Sequence, residues 1–208
     1  MTTDHSKLYR VHPGVAHAQK VIGNLERKSG HSLDQWVKLV IDSGLEASKQ
    51  RVAWLKSEHQ LGTVTAAMIV DHAEGRGQEK VDPAAYLRWA PALVDAMYAG
   101  KKRGLRPLHD KLVAVASTLP DVGISPGKSI VPIYRHHVIA QIKPATQKRI
   151  DFGLALGAEH YRFSQRVVST SGATTGDRIT HRIAITEDRD IDDELIAALK
   201  LAHRLDEQ

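Results

Sequence analysis

The sequence has no cysteine among its 208 residues. That excludes disulfides, thiolate catalysis and cysteine-ligated metal. No apolar run approaches the roughly 20 residues needed to span a bilayer. The opening MTTDHSKLYRVHPG has no apolar core that would serve as a signal peptide. These absences predict a cytoplasmic protein with no membrane partner. Signatures of chemistry are scarce as well. No GxSxG elbow is present, and Asp110, Asp151 and Asp177 stand apart instead of forming a carboxylate pair. We therefore expect no enzyme, and assign no catalytic residue, no cofactor and no metal.

Three partial motifs fail for physical reasons. The run GISPGKS at 123–129 lacks the first glycine of a P-loop, whose place is taken by Val122. It leads into a strand pattern, and Pro126 removes a backbone donor, so a hairpin turn accounts for it. Residues 54–70 have the rhythm of a helix-turn-helix, but the second helix, TVTAAMIVDHA, offers no Lys or Arg, and Asp71 would be repelled by phosphate. His136 and His137 are adjacent on an extended chain and point in opposite directions, which chelates one metal poorly. His181 falls on the face assigned below to the core.

Composition is otherwise ordinary for a globular chain, at 42% hydrophobic and 25% charged. The net charge of +5 is unevenly spread. Residues 101–150 carry ten Lys/Arg against two acids, and residues 186–208 carry three against eight. The first stretch suits a polyanion partner; alternatively the two stretches compensate each other within the fold.

Hydrophobic periodicity divides the chain. Residues 1–12 read as a poorly ordered tail. Four helices follow, at about 14–29, 32–43, 47–59 and 63–73. The second opens on a capping box, Ser32 with Gln35. Residues 74–82, EGRGQEKVD, read as a linker. Helices then fall at 83–97, interrupted by Pro91, and at 101–119, where Pro107 marks a kink or the true start. Strands follow at 122–124, 129–134, 138–143, 149–156 and 178–185. The tetrapeptide Ser125-Pro126-Gly127-Lys128 suits a type II turn between the first two. The stretch 157–177 is polar and irregular. A last helix runs from about 190 to 205, with acids in its first turn where the macrodipole favours them.

The stretches SLDQWVKLVIDSGL, VAWLKSEHQLG and AAMIV resemble the small helical family catalogued as domain of unknown function 4287. The stretches YAGKKRGLRPLHDKL, ISPGKSIVPIYR, RIDFGLAL and THRIAI are similar to the family catalogued as domain of unknown function 5655. The resemblance implies a helical module joined to an α+β module with an antiparallel sheet. Domains of the second type also occur fused to predicted nucleases, which favours a nucleic-acid partner by association only. No catalytic residue carries over.

The expected fold class is α+β. A small helical bundle spans 13–74, a linker 75–82, and an antiparallel sheet packed on one face by helices fills 83–208. Alternation puts Val138, Ala140, Ile142, Ile150, Phe152, Leu154, Ile179 and Ile183 on the core side. It leaves Gln141, Lys143, Arg149, Asp151, Arg178, Thr180 and Arg182 on the other. That second face is the candidate anion site, helped by Lys101, Lys102, Arg103 and Arg106. It has no exposed aromatic for stacking bases, so the expected partner is a phosphate backbone, another anion or an acidic protein. Alternatives are a protein–protein or homodimerisation module, and a small-molecule binder or enzyme with a site between the modules.

Overall fold

The computed structural model describes residues 8–157 and 163–207. These fall into two compact units, one of residues 11–89 and one formed by the N-terminal segment with residues 90–208.

The first unit is helical. Its elements are α1 (Pro13–Gly23), α2 (Leu25–Ser29), α3 (Leu33–Asp42), α4 (Ser48–Ser57), α5 (Thr63–Ala73) and α6 (Gln78–Val81). The first expected helix is two. Asn24 stops α1 by donating its side-chain amide to the Lys20 carbonyl at 2.7 Å, in competition with the helical ladder. Gly30 closes α2 at φ 77°, a left-handed cap that favours glycine. The capping box forms as expected. The Ser32 N–H donates to Gln35 Oε1 at 2.7 Å, and the Gln35 N–H donates to Ser32 Oγ at 3.3 Å. Leu25, Trp36, Val40, Leu55, Ala66, Ile69 and Val70 make the core. The Trp36 indole N–H donates to Ser29 Oγ at 2.8 Å, so a buried polar tip is satisfied.

Residues 74–82 differ from the expected linker. They contain α6, and Gln19 donates to the Val81 carbonyl at 2.8 Å. Glu74 accepts from Ser48 Oγ at 2.7 Å, and Asp71 pairs with Lys80. The two glycines suggested freedom, but the carboxylates beside them tie the segment down. The units divide further on, between Trp89 and Ala90, inside α7 (Pro83–Met97). Pro91 does not interrupt α7. It removes one helical hydrogen bond, and burial of Ala90, Leu93, Val94 and Met97 holds the helix through it.

The second unit is built on a six-stranded antiparallel sheet. Its strands are β1 (Gly123–Ile124), β2 (Val131–Tyr134), β3 (Val138–Lys143), β4 (Ile150–Leu154), β5 (Val168–Ser169) and β6 (His181–Ile185), in the order β1-β2-β3-β4-β6-β5. A 3₁₀ turn, Gly100–Leu105, leads into α8 (Arg106–Ala116), which Pro107 starts rather than kinks. Helix α10 (Asp193–Leu205) lies against β3 and β4 with Leu195, Ala198, Leu199 and Ala202 buried. Asp192 caps it by accepting the Leu195 N–H at 3.0 Å, and a separate 3₁₀ turn at Asp188–Asp190 precedes it.

Register confirms much of the alternation. Ile142 pairs with Phe152 and Phe152 with Ile183, so these three share the buried side. Four expectations change. Residues 9–10 are not tail: Tyr9 is buried and bridges Ile124 in parallel, and Arg10 N–H donates to the Ile124 carbonyl at 2.9 Å. The first seven positions lie outside the described residues. Gly127 does not take positive φ, so no type II turn forms at 125–128. The reversal closes two residues later, where the Gly127 N–H donates to the Ile130 carbonyl at 2.9 Å. A bulge in the β2–β3 pairing slips the register so that Ile139 is fully buried and Val138 only half-buried. The segment expected to be irregular contains β5 and a single helical turn, α9 (Gly172–Thr175).

Candidate functional site

The sheet face turned away from the core carries two rows set by register. Gln141 pairs with Gly153 and Gly153 with Arg182; Lys143 pairs with Asp151 and Asp151 with Ala184. Strand geometry places these side chains on one surface. Asp151 is the local counter-ion. Its Oδ1 lies 2.8 Å from Arg149 Nε and 3.4 Å from an Arg182 nitrogen. One carboxylate therefore orders two guanidinium groups. Lys143 is exposed and has no ion pair among the described residues.

Strand β6 begins at His181, later than the expected 178. The three residues before it do not continue the alternation, and this redistributes the expected site. Arg178 donates to Asp206 at the end of α10 at 2.7 Å, and to the Val138 carbonyl at 3.3 Å. It therefore leaves the candidate anion face. Thr180 is buried, its Oγ1 accepting the Leu156 N–H at 3.2 Å. Ile179, expected in the core with Ile183, lies on the far face instead. An added Cβ at Gly153 would sit 2.6 Å from its Cγ2 and 2.8 Å from Gln141 Cγ. Glycine at 153 is what allows both side chains to close over the sheet. His181 is half-buried, with Nδ1 2.9 Å from Thr180 Oγ1. Burial holds its pKa below the ordinary histidine value.

The same redistribution makes a pocket. Residues 170–179 fold back across the face, and between them and the sheet lies a cavity of about 210 Å³. Lys143, Asp151, Arg182, Gln141 and Asp177 supply its polar walls. Gly172 makes the return possible, because a Cβ there would meet the Ile179 carbonyl oxygen at 2.1 Å. The Asp177 carboxylate accepts the Ile179 N–H at 3.1 Å. Sequence reasoning missed Asp177 and Ile179. The signal was present in Gly153 and Gly172, glycines away from a simple turn, which indicate close approach of another segment.

The second group of expected cations divides. Lys102 Nζ donates to the Pro144 carbonyl at 2.6 Å, across 42 positions of sequence. That bond sets the 3₁₀ turn carrying Lys101 and Arg103 beside the loop that joins Lys143 to Lys148 and Arg149. Lys101 and Arg103 are exposed. Arg106 is not part of this group: it is bound by Asp95 at 2.6 Å and Asp110 at 2.8 Å.

A second polar cluster closes the other end of the sheet. The Asp206 side chain is 1% exposed. Its Oδ2 accepts the backbone N–H groups of His136 and His137 at 2.8 and 2.9 Å, and its Oδ1 lies 3.0 Å from His137 Nδ1. Burial alone would raise its pKa. The hydrogen bonds from His137 and His136 and the Arg178 charge outweigh that, and hold it below the ordinary aspartate value. The two histidines thus serve the β2–β3 turn, with their N–H groups on one carboxylate.

Fold and site together define an α+β module, with an antiparallel sheet covered on one face by a helix and a charged pocket on the other. Residues 94–206 match the family described as Domain of unknown function (DUF5655), and the chain belongs to that family. Residues 17–75 match Domain of unknown function (DUF4287). No curated protein and no solved structure matches the chain. Among the described residues no helix is long and apolar enough to cross a membrane.

Proposed function

We propose that this chain is a binding protein that engages a phosphate-bearing polyanion, a nucleic-acid backbone in particular, through the end of the sheet where β3 runs out. The carrying observation is the bond from Lys102 to the Pro144 carbonyl. It ties the turn carrying Lys101 and Arg103 to the residue after Lys143, which supports reading Lys101, Lys102 and Arg103 with Lys143, Lys148 and Arg149 as one basic patch. Asp151 pairs in register with Lys143, and two arginines already share it. Such a patch attracts phosphate by charge and counter-ion release, without reading base identity.

The test is salt-dependent binding of a single-stranded 20-mer DNA to the full chain, by fluorescence anisotropy. Affinity should fall steeply with salt. Removing the partner of one phosphate should flatten the log–log slope by roughly 0.7. The triple variant Lys101→Glu, Arg103→Glu, Lys148→Glu, all three residues being exposed, should abolish binding while the fold stays intact. Binding unchanged by the triple reversal, or no salt-sensitive binding by the natural chain, refutes the reading.

A further inference from the structure

The pocket on the far face of the sheet holds more than a patch for phosphate needs. Four charged side chains line it: Lys143, Arg182, Asp151 and Asp177. They are not equivalent. Asp151 is taken by Arg149 and Arg182, and that network forms a fixed floor of net positive charge. Lys143 and Asp177 remain, one of each sign, with no ion pair among the described residues. One oxygen of Asp177 is used by the Ile179 N–H, which orients the carboxylate and leaves its second oxygen for a ligand.

A purely anionic ligand in this pocket meets the Asp177 charge. A purely cationic one meets Lys143 and the positive floor. Only a molecule with both signs satisfies both walls. The volume of about 210 Å³ is below the range of drug-sized sites, roughly 300 Å³ and above. We propose that the pocket binds a small zwitterion. Its acidic group sits against Lys143 and Arg182, its ammonium against Asp177, and Gln141 donates or accepts between them. The Ile179 side chain, seated over Gly153, gives a short apolar stretch for the carbon chain joining the two charges. This goes beyond polyanion binding and shares Lys143 and, through the Asp151 network, Arg149 with its basic patch.

The experiment is an amide-resolved NMR titration of the full chain with glycine, β-alanine and taurine. Acetate and ethylamine serve as single-charge controls, and the amides of Gly153, Gly172 and Ile179 as reporters. At least one zwitterion should shift these amides saturably in the millimolar range, with the controls weaker by about tenfold or more. Lys143→Ala should weaken the response. Asp177→Asn is the sharper variant, because it keeps an oxygen to accept the Ile179 N–H and removes only the charge. It should weaken zwitterion binding by about tenfold yet leave DNA affinity unchanged or higher, since it removes an acid near the basic patch. Thus the two readings can fail separately. The zwitterion site is overturned if none of the three probes moves the reporters up to roughly 50 mM, a limit set by millimolar affinity. It is equally overturned if acetate does as well as β-alanine, or if Asp177→Asn binds as the natural chain does.

Discussion

Replacing Asp206 by alanine removes the acceptor for four donors at once. The His136 and His137 N–H groups, His137 Nδ1 and the Arg178 guanidinium lie 2.7–3.0 Å from its two oxygens. Breaking a buried charged network costs roughly 3–5 kcal/mol. The Arg178 and His137 side chains are 48% and 64% exposed and recover hydration in the variant. The two backbone N–H groups sit in an exposed turn and recover part of theirs. We therefore expect the low end, about 3 kcal/mol. That corresponds to roughly a hundredfold faster native-state exchange of amides that open with the whole sheet unit, such as Phe152 and Ile183. Trp36 and Val40 lie in the core of the helical unit, so exchange of their amides serves as the internal control and should not move. The pH dependence has a definite sign. The folded-state pKa of Asp206 is depressed, so its contribution is complete above the ordinary aspartate pKa of about 4 and is lost as pH falls through the lower folded value. The gap between the natural chain and Asp206→Ala should close in acid. A change in exchange of less than about threefold at neutral pH would show that the β2–β3 turn does not depend on this carboxylate.

The remaining predictions are local. Ser32→Ala removes one half of the capping box and should destabilise the helical unit by about 1 kcal/mol, read from tryptophan fluorescence in urea; no change would mean the cap is redundant with the Trp36 core. Gly153→Ala forces a methyl against Ile179 and Gln141, and should destabilise the sheet unit by roughly 1–3 kcal/mol. Amide exchange at Ile183 measures it, and an unaltered rate would contradict the close packing over the pocket floor.

Wherever one physical pattern acted alone, the fold was legible in the sequence. Ser32 and Gln35 satisfy each other within one turn, so their box needs no distant partner. Ile150, Phe152 and Leu154 alternate strictly because β4 is paired on both sides and packed on one, and slipping by one residue would invert every side chain. Pro107 was legible as a kink or a helix start, and its fixed φ and missing donor suit the start of α8 that forms. The resemblance of the two halves to two domain families was legible as well, in long stretches of sequence that match each family.

Most of what failed was decided by contacts distant in sequence; the break at Asn24 and the turn closed by Gly127 and Ile130 are local exceptions. Arg178 was assigned to the anion face by parity, but a buried carboxylate 28 positions away draws it off the strand. Ile179 then covers Gly153 instead of entering the core, and the polar segment after β5 becomes the wall of a pocket. Tyr9 leaves the expected tail because the edge of β1 offers backbone groups to pair with. Lys102 reaches Pro144 only once the sheet has formed. The sequence by itself determined the apolar stripes of most helices and of β4, the capped start of α3 and that one half of the chain is a sheet, since periodicity and capping are local. Only the tertiary structure decided which charges meet. Ion pairing depends on distances of a few ångströms between segments tens of residues apart, and those distances exist only in the folded chain.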